Sequence, residues 1–341
     1  MDAKLTKKRL SSMLTYDWLK IVGVAVAAII FWSLVLTMTA TRITPAQEFV
    51  VYNYYCNNNL GNGFFNHYNQ TKENEIFSYE VIEINYFDLS TNRDYAHTML
   101  KGHTAVDMGD VLFVPGIADS SCKYTDANGN EAYLSYAESF LARYGAFTYK
   151  LDNSSDKPHE QGYFQHMENY LNGYYGGDYV AGTLDTQKVE TDFVARVNKN
   201  KDKRFKTDEQ IAKGKTDDVK RIQKYRDALV QFNEYLTMGV VEFVALSTDM
   251  NNPEYNYVLE GNYAINLCPT KKADVEYSFH YDKYAENLIK FVSYEVAVEG
   301  EDNVTTAENM YAMFFRYDNV EEGFQYESLL YLNSVIAACL K

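Results

Sequence analysis

Residues 48–55 read EFVVYNYY, residues 79–88 read YEVIEINYFD and residues 110–115 read DVLFVP. The first reads as a strand. The second alternates apolar and polar residues, which is the strand period. The third is a short continuous apolar run, as expected for a strand buried on both faces. A polar, Gly-containing turn (CNNNLGNG, 56–63) and a helix-like stretch over 64–76 separate the first two. TNRDYAHTMLK at 91–101 reads as a helix between the second and third. The order β-α-β-α-β predicts three parallel strands with right-handed crossovers, and so an α/β fold.

Outward from this unit the chain changes character. Residues 131–238 read as mostly helical. Helices are expected over 132–144, 159–175, 185–198 (capped by Thr183 or Asp185) and 207–238. In the last of these Val219, Ile222, Tyr225, Leu229, Phe232 and Leu236 fall on one face at helical spacing. A basic run, NKNKDKRFKTDEQ at 198–210, reads as a solvated loop between helices. Strands return over 240–247 and 255–267. An amphipathic helix is expected over 284–295, and two more helices from 305 to the end.

On the N-terminal side, IVGVAVAAIIFWSLVLTMTA at 21–40 contains no charged residue. Twenty residues at ~1.5 Å each give a helix of ~30 Å, the thickness of a bilayer core. The run is longer than a signal-peptide core and no clear small-residue cleavage site follows, so it reads as an uncleaved anchor. Lys4, Lys7, Lys8, Arg9 and Lys20 precede it, and Arg42 stands alone after it. The positive-inside rule then places residues 1–20 in the cytoplasm and the C-terminal part outside the cell, behind a 41–47 tether. The whole chain holds 32 basic and 47 acidic residues, of which residues 1–42 hold six and two. The exported part therefore carries a net charge of −19, which disfavours nucleic acid as a partner.

The arrangement resembles the type 2 periplasmic-binding-protein fold, the extracellular solute-binding proteins of ABC importers. Three places carry the resemblance: the opening strand, helix and second strand; DMGDVLFVPG at 107–116; and GNYAINLCPTKKA at 261–273 followed by YAENLIKFVSYE at 284–295. Together they cover about half of the exported part. The resemblance implies two lobes, one from 48–122 with 240–341 and a mostly helical one from 123–239. It also implies capture of a small polar solute, such as a sugar or oligosaccharide, beside an importer permease. The chain departs from the family in having a transmembrane anchor where many members carry a lipid. The alternative is a surface sensor or scaffold that keeps the fold and acts through protein contacts.

In such folds ligands bind outside the carboxyl ends of the parallel strands. That rule selects Tyr54, Tyr55, Asn57 and Asn58 after the first strand, Tyr86 and Asp88 at the end of the second, and Asp119 and Ser120 after the third. The carboxylates, amides and hydroxyl suit hydrogen bonding to a solute, and the rings suit stacking. Each has an ordinary structural reading too, as a turn former or a packed strand tyrosine. Tyr174, Tyr175 and Asp178 form a glycine-flanked cluster that reads as a helix terminus with packed rings.

Catalytic and cofactor motifs are missing from the sequence. There is no G-x-S-x-G, Walker or Rossmann pattern, and no HExxH spacing among His67, His97, His103, His159, His166 and His280. Asp126, Asn128 and Asn130 sit like the first ligands of a calcium loop, but Glu131 stands where that loop needs glycine, so a turn at Asn128-Gly129 is the simpler reading. No cofactor or metal is expected. Cys56, Cys122, Cys268 and Cys339 are scattered, and their pairing is not readable from spacing.

Overall fold

The computed structural model describes residues 7, 11, 18–39, 47–58, 76–90, 93–125, 129–152, 161–248, 258–297, 302–317 and 323–341. It forms two compact units, Met1–Thr44 and Pro45–Lys341. In the first, helix α1 (Trp18–Thr39) is long and apolar enough to cross a membrane. The helix expected over 64–76 lies almost wholly outside the described residues, as do His67, His159 and the 126–128 part of the calcium-like loop.

The second unit is α/β, built on a six-stranded mixed sheet. Strands β1 (Glu48–Asn53), β3 (Glu83–Asp88) and β4 (Val111–Pro115) are the three that the sequence predicts. β1 lies between the other two and runs parallel to both, with Val51 opposite Tyr86 on one side and Val111 on the other. The sheet order is β3-β1-β4-β11-β8-β7, where β7 is Glu242–Ser247, β8 Glu260–Asn266 and β11 Met310–Phe314. β11 pairs antiparallel with β4 and β8, and β7 antiparallel with β8. Helix α2 (Arg93–Thr104) connects β3 to β4.

Central strands are buried on both faces, and alternate residues divide between two cores, as the pleat requires. Phe49, Val51, Val111, Phe113, Ala312 and Phe314 face one core. Val50, Tyr52, Tyr54, Leu112, Val114 and Met313 face the other, with Ala96 and Leu100 of α2 and Phe140 and Leu141 of α3 (Tyr136–Tyr144). On the first face lies the C-terminal helix α8 (Glu327–Leu340), whose Tyr331 ring sits 5.2 Å from Phe49 and 6.2 Å from Phe113.

Behind α8 comes the helical middle: α4 (Tyr163–Asn172), α5 (Thr186–Asn200) and α6 (Asp208–Met238). α6 starts on a capping box, Thr207 with Gln210, and ends at Gly239 in the left-handed region, φ 71°. Its predicted stripe is the one that packs: Ile222, Tyr225, Leu229 and Phe232 are fully buried, with Val219 and Leu236 at the margin. Asn333 of α8 donates to the Ala228 carbonyl, which fixes the two helices in register.

Three expected helices are corrected. Residues 131–135 are strand β6, paired with β5 (Ala118–Thr125), and the helix α3 begins only where Ser135 and Glu138 form a capping box. The 284–295 helix is α7, Tyr281–Ile289, followed by strand β9 (Val292–Val296). β9 belongs to a second, three-stranded sheet, β10-β9-β2, with β10 at Val304–Thr306 and β2 at Asn57–Asn58. The first of the two helices expected after 305 is instead β11, a strand buried at four of its five residues, whose apolar run lacks a strand's alternation.

Candidate functional site

The parallel strands bring the selected residues to one end of the sheet, since Asn53 lies opposite both Asp88 and Phe113. Among the described residues, most of the side chains there are packed or hydrogen-bonded locally. Tyr54 donates its amide N–H to the Phe113 carbonyl at 2.8 Å, and its ring is fully buried, 4.6 Å from Tyr55 and 5.7 Å from Phe140. Tyr55, at φ 57°, turns the chain and stacks on Tyr136 at 4.6 Å. Asn57 and Asn58 pair with Ser293 and Val292 of β9. Tyr86 packs against the core shared with α8, and burial pushes its hydroxyl well above the usual tyrosine range.

Asp88 accepts the Ser90 N–H at 2.9 Å, a local turn. Asp119 is 1 % exposed and is consumed in its own hairpin. It accepts from Ser121 N–H and Oγ at 3.0 and 2.8 Å and from the Cys122 thiol at 3.1 Å. Ser120 is exposed. At Gly116 a Cβ would run into the Tyr311 ring, so the ring covers the loop that leaves β4. Tyr55, Tyr86, Asp88 and Ser120 keep some surface exposure, without a common cavity among the described residues.

A small, partly open cavity lies at the opposite, amino-terminal ends of the strands. It measures about 90 Å³ and is bounded by Glu48 and Val50 of β1, the 106–110 turn, Tyr317, Phe324 and Glu327. This is well under the roughly 300–1,000 Å³ of a small-molecule pocket. Asp110 anchors the turn: its carboxylate accepts the Val50 N–H at 2.7 Å and its own N–H donates to the Val50 carbonyl at 2.9 Å. Burial pushes its carboxyl up to about 8; the nearby Glu327 and Glu48 add to this, and the Val50 N–H opposes it.

Glu327 is 1 % exposed. It accepts the Ser78 N–H at 3.0 Å and the Tyr225 hydroxyl at 2.6 Å. Burial raises it as well, while these hydrogen bonds and Arg221 pull it back. The turn takes Asp107 to φ 56° and Gly109 to φ 138°, where a Cβ would meet Tyr52 at 2.9 Å. The hydroxyls of Tyr317 and Tyr52 both donate to the Met108 carbonyl, at 2.7 and 3.2 Å, and Tyr52 also contacts His103 Nδ1 at 2.7 Å. The arrangement can hold a proton in a small, partly open space and has no room for an organic substrate.

Beside this cavity runs a buried ionic network. Asp218 receives Arg221 and Arg196, both at 2.8 Å, and Tyr79 at 3.0 Å. Both guanidiniums lie over the Phe324 ring, at 4.6 and 5.1 Å. Arg204 bridges Glu80 and Asp202. The two arginines hold Asp218 below the usual carboxylate range against the opposing effect of burial. Such a network ties α5 and α6 to the 76–80 segment and the start of α8. A separate open groove on α6 is lined by Tyr179, Val180, Val230, Asn233, Glu234, Thr237 and Met238.

Sequence reasoning missed Asp110 and Glu327. Each had a signal, since Asp110 is the one polar residue opening DVLFVP and Glu327 the one charge in ESLLYLNSVIAACL. No family model, curated protein or solved structure matches this chain.

Proposed function

We propose that this chain is a single-span surface protein whose body keeps a binding-protein-like α/β fold and acts through protein contacts, as a sensor or scaffold. The anchor is α1, with its basic flank in the cytoplasm and the body outside. The observation that carries the reading is the packing, among the described residues, of side chains at the carboxyl ends of the parallel strands. Tyr54 and Asp119 are buried there and Tyr311 covers Gly116, where a solute-binding protein needs an open pocket.

Capture of a sugar or other polar solute for an ABC importer is the competing function. Calorimetry separates the two. The full chain in detergent is titrated with sugars, amino acids and short peptides. Heats that never saturate support the contact role. Saturable binding that Asp88→Ala weakens about tenfold or more, as expected for loss of a charge-assisted hydrogen bond, overturns it in favour of solute capture.

A further inference from the structure

We propose that Asp110 and Glu327 form a proton-operated latch, in which a proton held in the cavity keeps the 105–110 turn and the first turn of α8 closed against β1, and its loss loosens the turn. This rests on the cavity and is independent of the contact reading.

The geometry has three parts. First, the cavity lining includes four carboxyls, Glu48, Asp107, Asp110 and Glu327, and no basic side chain. Asp110 lies beside Glu327 and Glu48 in this small space, and burial together with like charge nearby favours the protonated form of Asp110. Second, the Asp110 and Glu327 carboxyls are structural anchors. The Asp110 carboxyl holds β1 through Val50, while its backbone carbonyl accepts the Phe315 N–H at 3.1 Å and the Ser328 hydroxyl of α8 at 3.5 Å. Glu327 holds the 78 segment and α6 through Ser78 and Tyr225. Third, the turn is seated against β1 and the end of β11 by packing and neutral hydrogen bonds: Gly109 lies against Tyr52, Phe315 and Tyr317, and the Met108 carbonyl accepts two tyrosine hydroxyls, so among the described residues the Asp110 carboxyl is its one titratable anchor to β1.

The other titratable and charged groups facing this place do not replace the proton. Glu48 of β1 is taken up by Asn85 at 2.5 Å. From α2 comes His103, whose imidazole burial holds below its ordinary value and which contacts Tyr52 rather than a carboxylate. Tyr52, Tyr317, Tyr163 of α4 and Tyr225 of α6 are all pushed up by burial and stay neutral. Arg221 of α6 pulls Glu327 down but is itself bonded to Asp218 and Tyr170. The burden of the proton therefore falls on Asp110.

The sign follows from linkage. The closed turn holds the Asp110 proton up to about pH 8, whereas an open, solvated carboxyl releases it near 4. Opening therefore releases a proton, and rising pH favours opening between those limits.

Hydrogen exchange of residues 105–113, corrected for the intrinsic pH dependence of exchange, tests this on the full chain in detergent. In the wild type the opening equilibrium is expected to rise by up to about tenfold per pH unit between pH 5 and 8 and then level off. Asp110→Asn keeps an acceptor for the Val50 N–H and carries no charge, so its profile is expected to be flat and closed. Glu327→Gln, which removes the neighbouring charge, is expected to move the plateau to lower pH, because Asp110 then releases its proton more readily. A wild-type profile without pH dependence, or one that both variants reproduce unchanged, overturns the latch.

Discussion

Replacing Tyr54 by alanine distinguishes a side chain that fills the end of the sheet from one that lines a binding cleft. The ring is fully buried between Tyr55, at 4.6 Å, and Phe140, at 5.7 Å, and belongs to the core that joins the sheet to α2 and α3. Removing a fully buried aromatic ring loses its transfer free energy and leaves a cavity, together costing about 3–5 kcal/mol. At about 2–4 °C per kcal/mol for a domain of this size, the melting temperature falls by on the order of 10 °C. A ring exposed in a cleft would cost far less and would instead weaken solute binding. Thermal unfolding should be followed by the near-ultraviolet dichroism of the tyrosines, because both tryptophans, Trp18 and Trp32, lie in α1 and do not report on the body. A loss under about 1 kcal/mol, below the usual range for core truncation, would refute the packing argument.

Further outcomes follow from other contacts. Asp218→Ala strands Arg221 and Arg196 without their shared carboxylate and is expected to cost about 3–5 kcal/mol by chemical denaturation. Because Asp218 is held below the ordinary carboxylate value, the stability it supplies is complete above pH ~4 and is lost as pH falls through its depressed value; acid titration of wild type and Asp218→Ala should converge there. Gly116→Val drives a side chain into Tyr311 and should lower stability by about 1–3 kcal/mol, with Tyr311→Ala in the same chain restoring part of the loss. Translation into microsomes tests orientation: Asn303, exposed in an Asn-Val-Thr sequon, acquires a glycan removable by endoglycosidase if the body is lumenal, and none if it is not.

The parallel unit was legible because its strands carry a readable period or an uninterrupted apolar run, and the 91–101 helix sits between them. The α6 stripe was legible for the same reason, since 3.6-residue spacing survives in a helix with one wet face. β11 was not, because MYAMF, enclosed on both faces, has no alternation to distinguish it from helix. β9 follows α7 after two residues, and VSYEV continues the amphipathic pattern closely enough to hide the break. The strand-end rule located a real edge of the sheet. It does not say which way a tyrosine points, and the pleat turned Tyr54 into the core. Asp110 and Glu327 were passed over as isolated acids because their meeting depends on residues 217 positions apart folding onto one cavity.

Site-specific photo-crosslinking in intact cells tests the contact role most directly. A photoreactive residue is placed at the exposed positions Tyr95, Tyr133, Val180 and Val275, one at a time, and at buried Leu229 as a control. A discrete adduct with a protein partner is expected from a subset of the exposed positions and none from Leu229. Absence of adducts from every exposed position, together with saturable solute binding by calorimetry, would contradict the contact role.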